Sequence, residues 1–321
     1  MQPVVMCAGI LIADVFVPPL DALPAAGELL TTEDFVVDAG GCAANTATCL
    51  AGLGVPAAVA GCVGNDVFGA FIRSRLQEKG IDTRALKISS THGTSKTVIL
   101  PVDGEDRRYI HTIGANADFA AEDLERSMLP DATVLYVGGY LILPAMDGAG
   151  LARAMRSARD RGIRTVLDIA VPGGSSAPSL DALTPVLPHV DVFMPNIDEA
   201  AALSGENDPG RQARIFLDLG CPTVVITCGA DGALLMTNSQ TIIVPAAGMT
   251  AVDGSGAGDA FAAGFILGLV EGWELDEALR FAGVVGASAC TQLGCTAGVF
   301  TRREATTYLQ ENPLPLRASQ C

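Results

Sequence analysis

The chain has 321 residues, a length that two average domains would fill but that α/β folds often organise around one sheet. Hydrophobic residues make up 49% and charged residues 17%, which excludes a disordered or solvating chain and requires a large core. The formal charge of −16, from 36 acids against 20 bases, repels nucleic-acid backbones and anionic lipid, although a local nest of backbone N–H groups can still hold a small phosphorylated ligand.

Residues 4–12 form an apolar run ending at Asp14, the pattern of a buried strand whose carboxyl end carries a functional side chain. Residues 1–17 lack a basic n-region and carry that Asp14, so the sequence predicts no signal peptide and a cytoplasmic protein. A helix is predicted over 43–53, closed by Gly54, and a strand over 57–62. The alternation continues with strand 133–137, helix 148–161, strands 165–169 and 192–194, helices 197–203 and 208–219, and strand 223–227. Such repetition predicts a single domain over 1–321 with a parallel sheet, helices on both faces and ligands at the strands' carboxyl ends. Residues 28–37 read as β-like, and 94–102 with 107–113 as a hairpin turning at Asp103-Gly104. Together they predict a small β-lid formed by about 14–37 and 94–113. The uncharged stretches 39–65 and 281–301 are long enough for membrane spans, but glycines and polar residues break both, so they predict buried helix–turn–strand pieces.

Nine cysteines, an odd number with no CxxC pair, read as small buried residues in a reducing compartment. His92, His111 and His189 have no metal spacing, and neither a G-x-x-x-x-G-K-[ST] loop nor a G-x-G-x-x-G after the first strand is present.

The chemistry concentrates at Asp253-Gly254-Ser255-Gly256-Ala257-Gly258-Asp259, followed by an apolar helical run over 260–270. Gly256 and Gly258 let the backbone approach a phosphate, the helix start aims free N–H groups at it, and a first-turn carboxylate can accept the proton of an attacking hydroxyl. Taken alone the segment also fits a Gly-rich turn with Asp259 as a helix-start residue. Gly40-Gly41 before a helix admits a polyol or simply packs tightly, and Asn45 offers a donor and an acceptor. Asn196 and Glu199, three apart at a helix start, suit Mg²⁺ through water or an ordinary capping pattern. Thr227-Cys228-Gly229-Ala230-Asp231-Gly232 fits a phosphate loop or a plain hairpin turn, and Asp66 reads as a turn or cap residue.

These segments resemble the ribokinase-like, or PfkB, carbohydrate kinases over essentially the whole chain. Residues 253–259 match the family's D-T-x-G-A-G-D except at Gly254, where Thr is usual. Residues 40–45 look like its G-G-x-x-x-N, 63–69 like V-G-x-D-x-F-G, 196–199 like N-x-x-E, and 227–232 like T-x-G-x-x-G. The resemblance implies a three-layer sandwich with a mostly parallel central sheet and a β-lid, the latter pairing as a homodimer. It implies an ATP- and Mg²⁺-dependent kinase acting on ribose, fructose or a related pentose or ketohexose. Asp259 would be the base and Gly256, Ala257 and Gly258 the anion hole. Asp14, Gly40, Gly41, Asn45 and Asn116, the last in a G-A-N segment, would bind the sugar, with Asp14 gripping two neighbouring hydroxyls. Asn196, Thr227, Gly229, Gly232 and Gly283 would line the nucleotide site, Gly283 standing where many members have Asn or His. Asn196 and Glu199 would hold Mg²⁺ through water, and Asp253 would border a candidate K⁺ site. Tyr140-Leu141-Ile142 stands where ribokinases tend to have Gln-Leu-Glu, which leaves the sugar open. Lys96, Arg107, Arg108 and His111 on the lid would serve an anionic substrate or merely solvent. A nucleoside kinase of the same family and a non-catalytic sugar sensor are the alternative readings.

Overall fold

The structure, a computed structural model, describes residues 4–102, 108–171 and 179–320. A ten-stranded sheet lies at its centre, and β1 (Val4–Gly9) sits deep within it. Along β1, Val5 and Cys7 enter the core on one face while Met6 and Ala8 enter the core on the other. A strand covered on both sides needs apolar residues at consecutive positions, which is why the run shows no polar alternation.

On one side of β1 lie β4 (Ala57–Gly64) and β5 (Leu86–Ser89). On the other lie β8 (Ala132–Gly138), β9 (Arg164–Leu167), β10 (Val192–Phe193) and β11 (Thr223–Thr227), all parallel. The mostly parallel sheet that was expected is completed by β12 (Ala233–Thr237), β13 (Gln240–Val244) and β14 (Arg317–Gln320), which run antiparallel. Gly232 turns β11 into β12 at φ 95°, and a Cβ there would lie 2.0 Å from the Val244 carbonyl oxygen. The hairpin reading of 227–232 is thus realised.

One face carries α1 (Cys42–Gly52), α2 (Val67–Glu78), α7 (Ala257–Glu271), α8 (Leu275–Ala289) and α9 (Arg302–Glu311). The other carries α3 (Ala121–Ser127), α4 (Gly148–Asp160), α5 (Ile197–Ser204) and α6 (Pro209–Asp218). Helix α7 is buried around most of its circumference, and Gly264 and Gly268 let α8 approach it: added Cβ atoms would meet Ala282 Cα at 2.9 Å and Ala278 Cβ at 2.5 Å. This packing fixes the helix whose first turn carries Asp259. Stretch 39–65 folds into the end of a lid strand, α1 and β4, and stretch 281–301 into the second half of α8 and a loop. Among the described residues no helix is long and apolar enough to cross a membrane.

The apolar run 4–12 is not one strand. The central sheet releases the chain at Gly9, where φ is 141° and a Cβ would lie 2.1 Å from the Gly138 carbonyl oxygen; β2 (Ile12–Phe16) then restarts in a second, four-stranded sheet. That sheet runs β3–β2–β6–β7, with β3 at Val36–Gly40, β6 at Lys96–Leu100 and β7 at Arg108–Thr112. Asp14 therefore stands inside a lid strand rather than at the carboxyl end of β1. Residues 28–35, expected to be β-like, form no strand, and the expected turn at Asp103-Gly104 lies outside the described residues. Asp66 caps α2, accepting the Gly69 N–H at 2.8 Å, as the sequence suggested.

Candidate active site

Asp14 is 6% exposed, and its carboxylate explains the first of the paired glycines: a Cβ at Gly40 would lie 1.8 Å from Asp14 Oδ2. The second, Gly41, has φ 90°, and a Cβ there would lie 2.5 Å from the Ile10 carbonyl oxygen. Both positions are closed to larger residues by close approach of other chain segments. In the first turn of α1, Asn45 donates from Nδ2 to Asp259 Oδ2 at 2.8 Å, while its buried Oδ1 has no partner. A buried acceptor left unmet costs about 1–3 kcal/mol, so a ligand hydroxyl donating there would be favoured.

Gly256 precedes α7 at φ 73° and packs so tightly on the loop after α8 that a Cβ would lie 2.2 Å from the Cys295 carbonyl oxygen. A Cβ at Gly258, by contrast, would meet no atom within 4 Å. Gly258 therefore borders open space in the first turn of α7, where a helix leaves its N–H groups without intrahelical partners. Burial pushes the Asp259 carboxyl up to about 6, against hydrogen bonds from Asn45 and Cys42 that hold it down. At neutral pH it is ionised yet more basic than an exposed aspartate.

Burial also raises Asp14 to about 6, opposed by a hydrogen bond from Thr97 and reinforced by Asp259 and Asp38. Glu199 is pushed up to about 7, first by burial; backbone N–H groups oppose this and Asp259 adds to it. Asp168, just past β9, is raised by burial and then by Glu199 and Asp259, and it accepts the Tyr136 hydroxyl at 2.9 Å. Thus the lid residue Asp14 and the α5 residue Glu199 both feel the charge of Asp259. Among the described residues no Lys or Arg forms an ion pair with Asp14, Asp168, Glu199 or Asp259. Such uncompensated buried carboxylates fit a divalent cation with hard oxygen ligands. The Cys42 sulfur and oxygens of Asp168 and Asp259 lie within 4.8 Å of one another, but burial pushes the thiol up, and a protonated thiol is no ligand for Mg²⁺.

Asn196 caps α5 by accepting the Asp198 and Glu199 N–H groups at 3.0 and 2.9 Å, and Glu199 Oε2 accepts the Asn196 N–H at 3.0 Å. The capping reading is realised, and it holds both residues at the site's edge. Asn196 bridges in parallel to Thr227, so the ends of β10 and β11 present the two expected nucleotide segments side by side. Gly229 and Gly283 face space: a Cβ at Gly229 meets nothing within 4 Å, and one at Gly283 meets only Val244 Cγ1 at 3.9 Å. Asp253 accepts the Ser255 N–H at 2.9 Å and the Gly294 N–H at 3.0 Å, stapling the 253–255 turn to the loop after α8.

Asn116, expected at the sugar, has a structural part as well. It is 1% exposed, and its amide pairs with both backbone groups of Leu11, at 3.0 and 2.9 Å, pinning the link between β1 and β2. Sequence reasoning missed Asp168, Thr97 and Cys42. Asp168 follows an apolar strand, a signal that was available; Thr97 and Cys42 reach the site only through lid pairing and the approach of α1 to α7.

The description "pfkB family carbohydrate kinase" fits residues 2–302. The chain belongs to the PfkB family of carbohydrate kinases. It is 28% identical to a Haemophilus influenzae ribokinase over 88% of this chain and 91% of that one. It is 32% identical to a Haloferax volcanii 1-phosphofructokinase over 82% of each. An Arabidopsis thaliana ribokinase structure, complexed with ribose and ATP, superposes with a TM-score of 0.80 at 22% identity, covering 96% of this chain and 99% of that one. The fold is that of the ribokinases, and this PfkB chain is an ATP-dependent carbohydrate kinase.

Proposed function

We propose that the protein transfers the γ-phosphoryl group of ATP to a hydroxyl of ribose, fructose or a related pentose or ketohexose, with Asp259 as general base. The observation that carries this reading is the buried Asn45–Asp259 pair at a helix start whose Gly258 faces open space. Asp14 and the free Oδ1 of Asn45 hold the acceptor's hydroxyls, with Gly40 and Gly41 letting it lie against the backbone. Asp259 takes the proton of the attacking hydroxyl, and the Gly256–Gly258 N–H groups face the charge that develops opposite it.

Bound ATP with Mg²⁺ supplies the phosphoryl group and neutralises its charge; Glu199 and Asn196 would hold the ion through water, with Asp168 beside them. Thr227, Gly229 and Gly283 border the nucleotide, and Gly232 shapes its loop. Asp253 borders a proposed K⁺ site, to be tested by exchanging K⁺ for tetramethylammonium. A cytoplasmic location supplies the ATP, and the lid joins two copies as a homodimer. ATP turnover over a panel of sugars and nucleosides tests the assignment: a sugar as best acceptor supports it, a nucleoside favours the related kinase, and no turnover with any acceptor leaves a sugar sensor.

A further inference from the structure

We propose that the acceptor site selects sugars without a phosphate or carboxylate group; this rests on the kinase reading and names its substrate class. Family membership does not decide the point, because the relatives include both a ribokinase and a 1-phosphofructokinase.

Asp14 and Asp38 stand directly opposite one another in the β2–β3 register. They bound a recess of about 70 Å³ whose other walls are uncharged, among them Phe16, Val36, Leu293 and Cys295. A third carboxylate, Asp259, also acts electrostatically on Asp14. An anionic group on the acceptor would therefore meet the like charges of Asp14 and Asp259, beside an Asp38 that Arg75 compensates only in part.

The described lid cations do not correct this. Side chains alternate across a strand, so residues an odd number of positions apart leave opposite faces. Thr97 pairs with Asp14 and His111 with Thr97, which puts these three on one face. Lys96 is one step from Thr97 and Arg108 three steps from His111, so both leave the other face. The Lys96 Nζ donates to the Thr94 carbonyl at 2.7 Å and lies over the Phe68 ring at 5.2 Å. Arg75 reaches Asp38 at 3.3 Å but also holds Glu78 at 3.1 Å. His111 does share Asp14's face, bonded to the Thr97 hydroxyl at 3.0 Å, and the partial burial of its otherwise exposed ring disfavours the protonated form. Arg107 lies outside the described residues.

The test measures ATP-dependent phosphorylation by the full chain of ribose and fructose beside ribose 1-phosphate, fructose 1-phosphate, fructose 6-phosphate and gluconate. The proposal expects kcat/KM for the best uncharged sugar to exceed that for every anionic one by at least about 100-fold. It also expects His111→Lys, which places a cation on the Asp14 face at an exposed position, to narrow that gap about tenfold. An anionic sugar used as well as the neutral ones would overturn the proposal and leave the kinase reading intact. A gap unchanged in a folded His111→Lys variant would overturn the charge mechanism. Absence of turnover with all these acceptors and with nucleosides would remove the kinase reading itself, and the proposal with it.

Discussion

Asn45 and Asp259, 214 positions apart in the chain, meet through one 2.8 Å hydrogen bond that joins the first turns of two packed helices. The bond lowers the proton affinity that burial raises, leaving Asp259 at about 6. A base must be ionised to accept a proton, so kcat should rise with pH through about 6 and level off above it. Replacing Asn45 by Leu removes a donor to the carboxylate, and the acid limb should move to higher pH. A kcat–pH profile of both proteins checks this; a limb that stays in place would detach Asn45 from the base.

Asp14 and Gly40 are expected to behave as one unit. Asp14→Ala should raise the sugar KM about 10- to 100-fold with little change in the ATP KM, because a hydrogen-bonded charged contact is lost. Gly40→Ala should reproduce the effect, since its Cβ would fall 1.8 Å from the Asp14 carboxylate. Steady-state kinetics with sugar and ATP varied separately reads both, and an unaltered sugar KM in either variant would contradict the assignment.

Gly258→Val tests the anion hole. The added side chain meets no protein atom at its Cβ, so the fold should survive, while the open space beside the first turn of α7 is filled. Turnover should drop roughly 10²-fold or more with an unchanged circular dichroism spectrum. Near-normal turnover would place the phosphates elsewhere.

The lid's outer strands expose Val36, Tyr109 and Ile110 at 56%, 55% and 64%. Open strand edges with apolar residues need cover, and a second copy's lid supplies it. Light scattering at micromolar concentration should give twice the chain mass, and Ile110→Lys should return it to the monomer. A wild-type monomer would remove the dimer.

Most of the parallel sheet was legible because its strands, buried on both faces, are short apolar runs between helical patterns; β11 matches its expected bounds residue for residue. The break between β1 and β2 was not, since residues 4–16 are apolar throughout except Asp14, and it is the backbone of Gly9 and the Asn116 amide on Leu11 that mark where the chain leaves one sheet for the other. For the same reason the structural part played by Asn116 was not legible: its G-A-N setting carries no sign that each end of the amide bonds the Leu11 backbone. Asp14 could be named from the end of an apolar run, Asn45 from the paired glycines before it and Asp259 from a helix start. Their mutual charge coupling, and the part of Asp168 in it, depends on burial that no local pattern encodes.

The most direct test of the account is a comparison of wild type with Asp259→Asn, using ATP and the best acceptor from the panel, with binding of both substrates measured separately. Asparagine keeps the shape but takes up no proton, so the account predicts a fall in kcat of roughly 10²–10⁴-fold with sugar and nucleotide affinities nearly unchanged. A variant that turned over at close to the wild-type rate would contradict the role of Asp259 as the base.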